Sequence, residues 1–243
     1  MDTLIDYLVE ARDAHLRNDW RVSYAAFVRA DALGPMSTDD LDAYGTAAWR
    51  LGHGREAVRL AERTYDRLVR TDPAAAAMKA TVLALEWHAR GHLPLSRGWA
   101  DRARALLSGV PASAALAYVA YLDATAALDD GDTAVLVRAA NALREAATGT
   151  GDPTLAILAR VVDGVAALQE SRVADGYRLL DDALLPVVDD RIPPEWAGDV
   201  YRLVLHPGRH VDARHAEKWT ESLRRWVIVT GVVIDNYSIA GRS

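Results

Sequence analysis

The residues able to do chemistry are few and scattered. His206, His210 and His215 lie in HPGRHVDARH, at spacings of four and five. Two imidazoles one helical turn apart can share a metal. Here Pro207-Gly208 breaks the helix between the first two, and no Asp or Glu completes a ligand spacing. Glu86 and His88 are two apart on a helix, so their side chains diverge. No G-x-S-x-G elbow and no G-x-x-x-x-G-K-[ST] loop occurs. Ser23, Ser96 and Ser222 fall at small-residue packing positions. Asp39-Asp40, Asp129-Asp130, Asp181-Asp182 and Asp189-Asp190 fall at helix ends and solvated faces, where acids are ordinary. Neither a catalytic set nor a metal site is expected, and no cofactor. Recognition chemistry is better represented. Trp49, Tyr118 and Tyr121 offer stacking and apolar area, Arg50 a partner for an anion, and His88 a hydrogen-bonding group.

The elements that must position these residues are helices. Ala, Leu and Arg dominate, and β-branched residues do not alternate before the last residues. Asp19–Pro35 (DWRVSYAAFVRADALGP) places Ser23, Phe27 and Ala30 on one helical face and stops at Pro35. Ala57, Ala61 and Thr64 repeat that spacing, and Ser96, Ala100 and Ala103 follow it. In the helix that precedes Ala57, Leu41, Tyr44, Gly45 and Ala48 form a milder W-x2-L-G-x2-Y pattern, with Gly45 expected to allow close helix approach. Starts are marked by Ser37-x-x-Asp40, Asp72-Pro73 and Asp152-Pro153. Turns fall near Asn18, Gly52, Gly91, Gly131, Ser171 and Pro207, at spacings of 34, 39, 40, 40 and 36. A period of this size predicts an all-α, tetratricopeptide-like solenoid of about six antiparallel helical hairpins.

Composition bounds the partners. Lys+Arg 28 against Asp+Glu 34 gives a net charge of −6, without the basic excess of a nucleic-acid-binding domain. With no cysteine, disulfides, thiolate metal sites and a thiol nucleophile are excluded. MDTLIDYLVEARDAH lacks a basic leader region, and no apolar stretch approaches a membrane span. A cytoplasmic protein without direct nucleic-acid or membrane binding is expected.

STDDLDAYGTAAWRLGHGREAVRLAERTY, SRGWADRARALL and AEKWTESLRRW resemble the tetratricopeptide-like region of large actinobacterial LuxR-family transcriptional regulators and of related cyclase-linked regulators. The resemblance covers Ala11 to Trp226 and rests on packing motifs. It implies a sensor-like or partner-binding scaffold. No helix-turn-helix pattern accompanies it, so transcriptional control does not carry over.

If the register set by Gly45 and Ala57 holds, first helices line a concave face. Its free positions include Trp49, Arg50, Thr81, Leu85, His88, Tyr118, Tyr121, Thr125, Leu158 and Val161. Such a groove suits a peptide, a partner protein or a small organic effector. In the alternative, these residues meet one another and close the superhelix as core. The expected function is a non-catalytic regulatory or scaffold module. The alternative is an enzyme or ligand-binding protein of specialised metabolism using an apolar aromatic cavity. Residues 1–226 form the repeat domain, and 227–243 (with VIVTGVVI) a cap or tail. Trp219, Trp226 and this tail offer a homo-oligomer contact.

Overall fold

A computed structural model describes residues 3–108, 114–188, 192–205 and 211–230. Among them twelve helices follow in order: α1 (Leu4–Leu16), α2 (Trp20–Leu33), α3 (Thr38–Arg50), α4 (Gly54–Thr71), α5 (Pro73–Ala89), α6 (Leu93–Leu107), α7 (Ala114–Asp130), α8 (Thr133–Thr150), α9 (Pro153–Gln169), α10 (Val173–Val188), α11 (Pro194–Val204) and α12 (Ala213–Thr230). The fold is all-α, with no strand among the described residues. Among these residues no helix is long and apolar enough to cross a membrane.

Local chemistry starts and stops these helices. Thr3 and Asp6 form a capping box at α1, and the Ser37 hydroxyl accepts the Asp40 N–H at α3. Asp72, Asp132 and Asp152 accept first-turn N–H groups of α5, α8 and α9. Five turns share one geometry. Asn18, Gly52, Gly91, Gly131 and Ser171 all have positive φ, between 58° and 78°. The N–H of each donates to the carbonyl three residues back (His15, Trp49, His88, Leu128, Leu168). The next N–H donates to the carbonyl five back (Ala14, Ala48, Trp87, Ala127, Ala167). This doubly bonded stop reverses the chain within two or three residues. The five coincide with turn positions expected from the sequence; the sixth, at Pro207, lies outside the described residues.

Each helix packs on its successor, and α1 also packs on α3, α5 on α7, α7 on α9 and α9 on α11. Ser23, Phe27 and Ala30 are buried, as are Ser96, Ala100 and Ala103. A very close approach joins α9 to α10. A Cβ on Gly164 would lie 2.8 Å from Leu180 and 3.2 Å from the Gly176 carbonyl. One on Gly176 would lie 2.6 Å from Leu168. Gly45, by contrast, has room for a Cβ, whose nearest neighbour, Leu60, is 3.5 Å away. The close approach expected there is found at Gly164–Gly176 instead.

One polar bridge occurs twice, 40 residues apart. Arg104 of α6 bonds Asp101 on its own helix and Asp123 on α7. Arg144 of α8 bonds Asn141 at 3.0 Å and Asp163 of α9 at 2.8 Å.

At the C-terminal end, Trp219 and Trp226 are fully buried. The Trp219 indole donates to Asp181 of α10 at 2.8 Å, and the Trp226 ring lies 5.7 Å from Tyr201 of α11. Both tryptophans therefore pack against their own chain. The expected tail at Val227 begins inside α12, which continues through Thr230. The remainder of that tail lies outside the described residues.

Candidate functional site: an apolar cleft between α3, α4 and α5

The five residues singled out for recognition lie in three places. Trp49 is at the end of α3, and its indole N–H donates to Glu86 of α5 at 2.9 Å. Glu86 also pairs with Arg90 at 3.0 Å. Arg50 lies over the Trp20 ring, its guanidinium carbon 4.8 Å from the centroid. His88 faces a cleft between α6 and α7. Tyr118 and Tyr121 are 7 % and 0 % exposed. The Tyr118 hydroxyl donates to Asp152 at 2.9 Å, and Trp196 of α11 packs 4.6 Å from its ring and 6.0 Å from that of Tyr121.

Thr81, Leu85, Thr125, Leu158 and Val161 are buried too. Along α7 and α9 the first-helix positions thus meet one another, as in the closed arrangement. Trp196 completes that closure from far along the sequence, where helical spacing gives no sign of its partner.

An open part lies at Trp49. Gly45, Ala57 and Ala61 are small, and with Val58, Val82 and Leu83 they leave a cleft of about 80 Å³. The Trp49 indole forms one wall. Asp42 and Lys79 pair across the rim, joining α3 to α5, and Thr46 and Glu86 supply further polar edges. The volume falls well below the roughly 300 Å³ at which sites for drug-sized ligands begin. It matches a single apolar side chain, with polar groups around the mouth for the adjoining backbone. The contributions of Glu86 and Lys79 were not evident beforehand. The row of small residues at Gly45, Ala57 and Ala61 was the available signal.

Charges near this region are tied down. Asp40 accepts two bonds from Arg12, at 2.7 and 2.8 Å, and that contact holds its carboxyl below the usual 3.8. Burial, then the Arg50 charge, pushes the His15 imidazole below its usual 6.5. His15 Nδ1 is buried without a hydrogen-bond partner among the described residues.

Of the C-terminal histidines, His215 stacks on Tyr177 at 3.8 Å and its Nδ1 meets Asp212 at 2.8 Å. His206 and His210 lie outside the described residues. Among the described residues, no group of three or more His, Asp or Glu is placed to hold a metal.

Compared with protein-family models, with curated proteins and with solved structures, the chain matches none.

Proposed function

We propose that the chain is a tetratricopeptide-like array of six helical hairpins that serves as a non-catalytic partner-binding module. Three features support the repeat: the five turns of one geometry at near-constant spacing, the packing of alternate helices, and the bridge duplicated 40 residues apart. The binding reading is carried by one observation, the open apolar cleft beside Trp49, where Gly45, Ala57 and Ala61 leave room between α3, α4 and α5.

The occupant of this cleft is a peptide segment of a partner protein, anchored by one aliphatic or aromatic side chain. Its side chain meets the indole face and the Ala57–Ala61 wall. Its backbone reaches Thr46, and its flanking charges meet Asp42 and Lys79. Buried apolar anchors of this kind carry most of the energy at such contacts.

Selection of random displayed peptides on the full chain tests the reading. Enriched peptides share one apolar residue, and they lose binding to Ala61→Phe, which fills the cleft. Peptides that bind Ala61→Phe as well as the unaltered chain defeat it.

A further inference from the structure

A second cleft, of about 320 Å³, runs between α6 and α7. Its volume reaches the range of sites for small organic molecules, roughly 300–1,000 Å³. Buried Ala100 of α6 and Leu122 of α7 give it an apolar floor, and the exposed Leu93 and Ala126 line its edges.

Comparison with the next interface explains the opening. Forty residues on, α8 carries buried Leu136 where α6 has Ser96. The shorter Ser96 side chain lines the cleft and leaves space there.

Two Arg–Asp pairs face this space in equal register. Arg104 and Asp123 are bonded. Arg97 lies seven residues before Arg104, and Asp130 seven residues after Asp123, on helices that run in opposite directions. Seven residues correspond to about 10.5 Å along each helix. Arg97 and Asp130 therefore stand on opposite walls at the other end, and both line the cleft. Neither has an ion-pair partner within 4.0 Å among the described residues. Beside them is Ser96, only 5 % exposed and lining the cleft, with no hydrogen bond to its hydroxyl among the described residues. The equivalent of Arg97 in α8 is Val137, so the second pair belongs to this cleft and not to the repeat.

We propose that this cleft binds a free aliphatic α-amino acid. The ligand's carboxylate pairs with Arg97 and accepts from Ser96. Its ammonium pairs with Asp130, completing the open bridge. Its side chain lies on Leu93, Leu122 and Ala126. The cleft is separate from that beside Trp49 and does not depend on the partner-binding reading.

Calorimetric titration of the full chain with L-leucine tests the proposal. Saturable binding is expected, weakened about tenfold or more in Arg97→Ala and in Asp130→Asn, the effect of losing one charge-assisted bond. 4-Methylpentanoate, without the ammonium, and isoamylamine, without the carboxylate, are each expected to bind more weakly by a similar factor. Arg144→Ala, at the bridge of the next interface, is expected to bind as the unaltered chain does. Circular dichroism establishes that each variant is folded. The proposal is overturned by no L-leucine binding at millimolar concentration, by either α6–α7 variant binding normally, or by 4-methylpentanoate binding as tightly as L-leucine.

Discussion

The indole N–H of Trp49 donates to the Glu86 carboxylate across 2.9 Å, joining the end of α3 to α5. Both side chains are largely buried, so the bond is poorly replaced by water if Glu86 is lost. Glu86→Leu is expected to cost about 1–3 kcal/mol in urea unfolding, the penalty of a buried donor left unsatisfied. Glu86→Gln keeps an acceptor and is expected to cost less. Equal losses in the two variants would show that the indole bond contributes little.

The α9–α10 crossing makes a steric prediction. Gly164→Ala sets a Cβ 3.2 Å from the Gly176 carbonyl and 2.8 Å from Leu180, and the backbone cannot yield cheaply. A loss of about 1–3 kcal/mol is expected from thermal or urea unfolding. Gly98, on the exposed side of α6, has open space where a methyl would stand, with nothing within 4 Å. Gly98→Ala is expected to stabilise by about 0.5–1 kcal/mol. The opposite signs separate crowding from helix propensity.

The turns predict another contrast. Gly91 and Gly131 have φ of 76° and 72°, where a Cβ is strained though the space around is open. Gly131→Ala is expected to lose about 1–2 kcal/mol. Ser171 holds φ 62° with a side chain already present, and Ser171→Gly relieves that strain. Unfolding of Ser171→Gly is expected at equal or higher urea concentration than that of the unaltered chain.

His15 links stability to pH. Its folded-state pKa lies below the usual 6.5, through burial first and Arg50 second, with Asp42 opposing. The unfolded chain therefore takes up this proton at higher pH than the folded one. The contribution to stability is complete above about pH 6.5 and is lost as pH falls through the folded value. His15→Gln is expected to flatten the fall in melting temperature below about pH 6.5, leaving the later carboxylate-driven fall near pH 4 in place. An unchanged slope in that variant would remove His15 from the acid response.

Much of the fold was legible because it is written locally. The positive-φ turns at Asn18, Gly52, Gly91, Gly131 and Ser171 carry their own punctuation, and Asp72-Pro73 and Asp152-Pro153 announce helix starts. The small residues at Ser23, Ser96 and Gly176 mark packed faces for the same reason. What each first-helix side chain meets was not legible. Tyr118 and Tyr121 have the types of a recognition surface, yet Trp196 covers them from 78 and 75 residues downstream. Trp219 and Trp226 share a helical face, and only the position of α10 and α11 decides that this face is inward. The Trp49 cleft likewise depends on three helices meeting, and Lys79 and Glu86 enter it from α5.

Entry of a partner's apolar side chain into the Trp49 cleft is tested most directly by the tryptophan indoles themselves. The measurement is a proton–nitrogen correlation spectrum of those indoles, titrated with a peptide selected on the full chain. The Trp49 signal is assigned by its loss in Trp49→Phe. On saturation this signal is expected to move, while that of Trp219, bonded to Asp181 at the far end of the chain, stays in place. A peptide that binds to saturation and leaves the Trp49 signal unmoved would contradict the proposed role of the cleft.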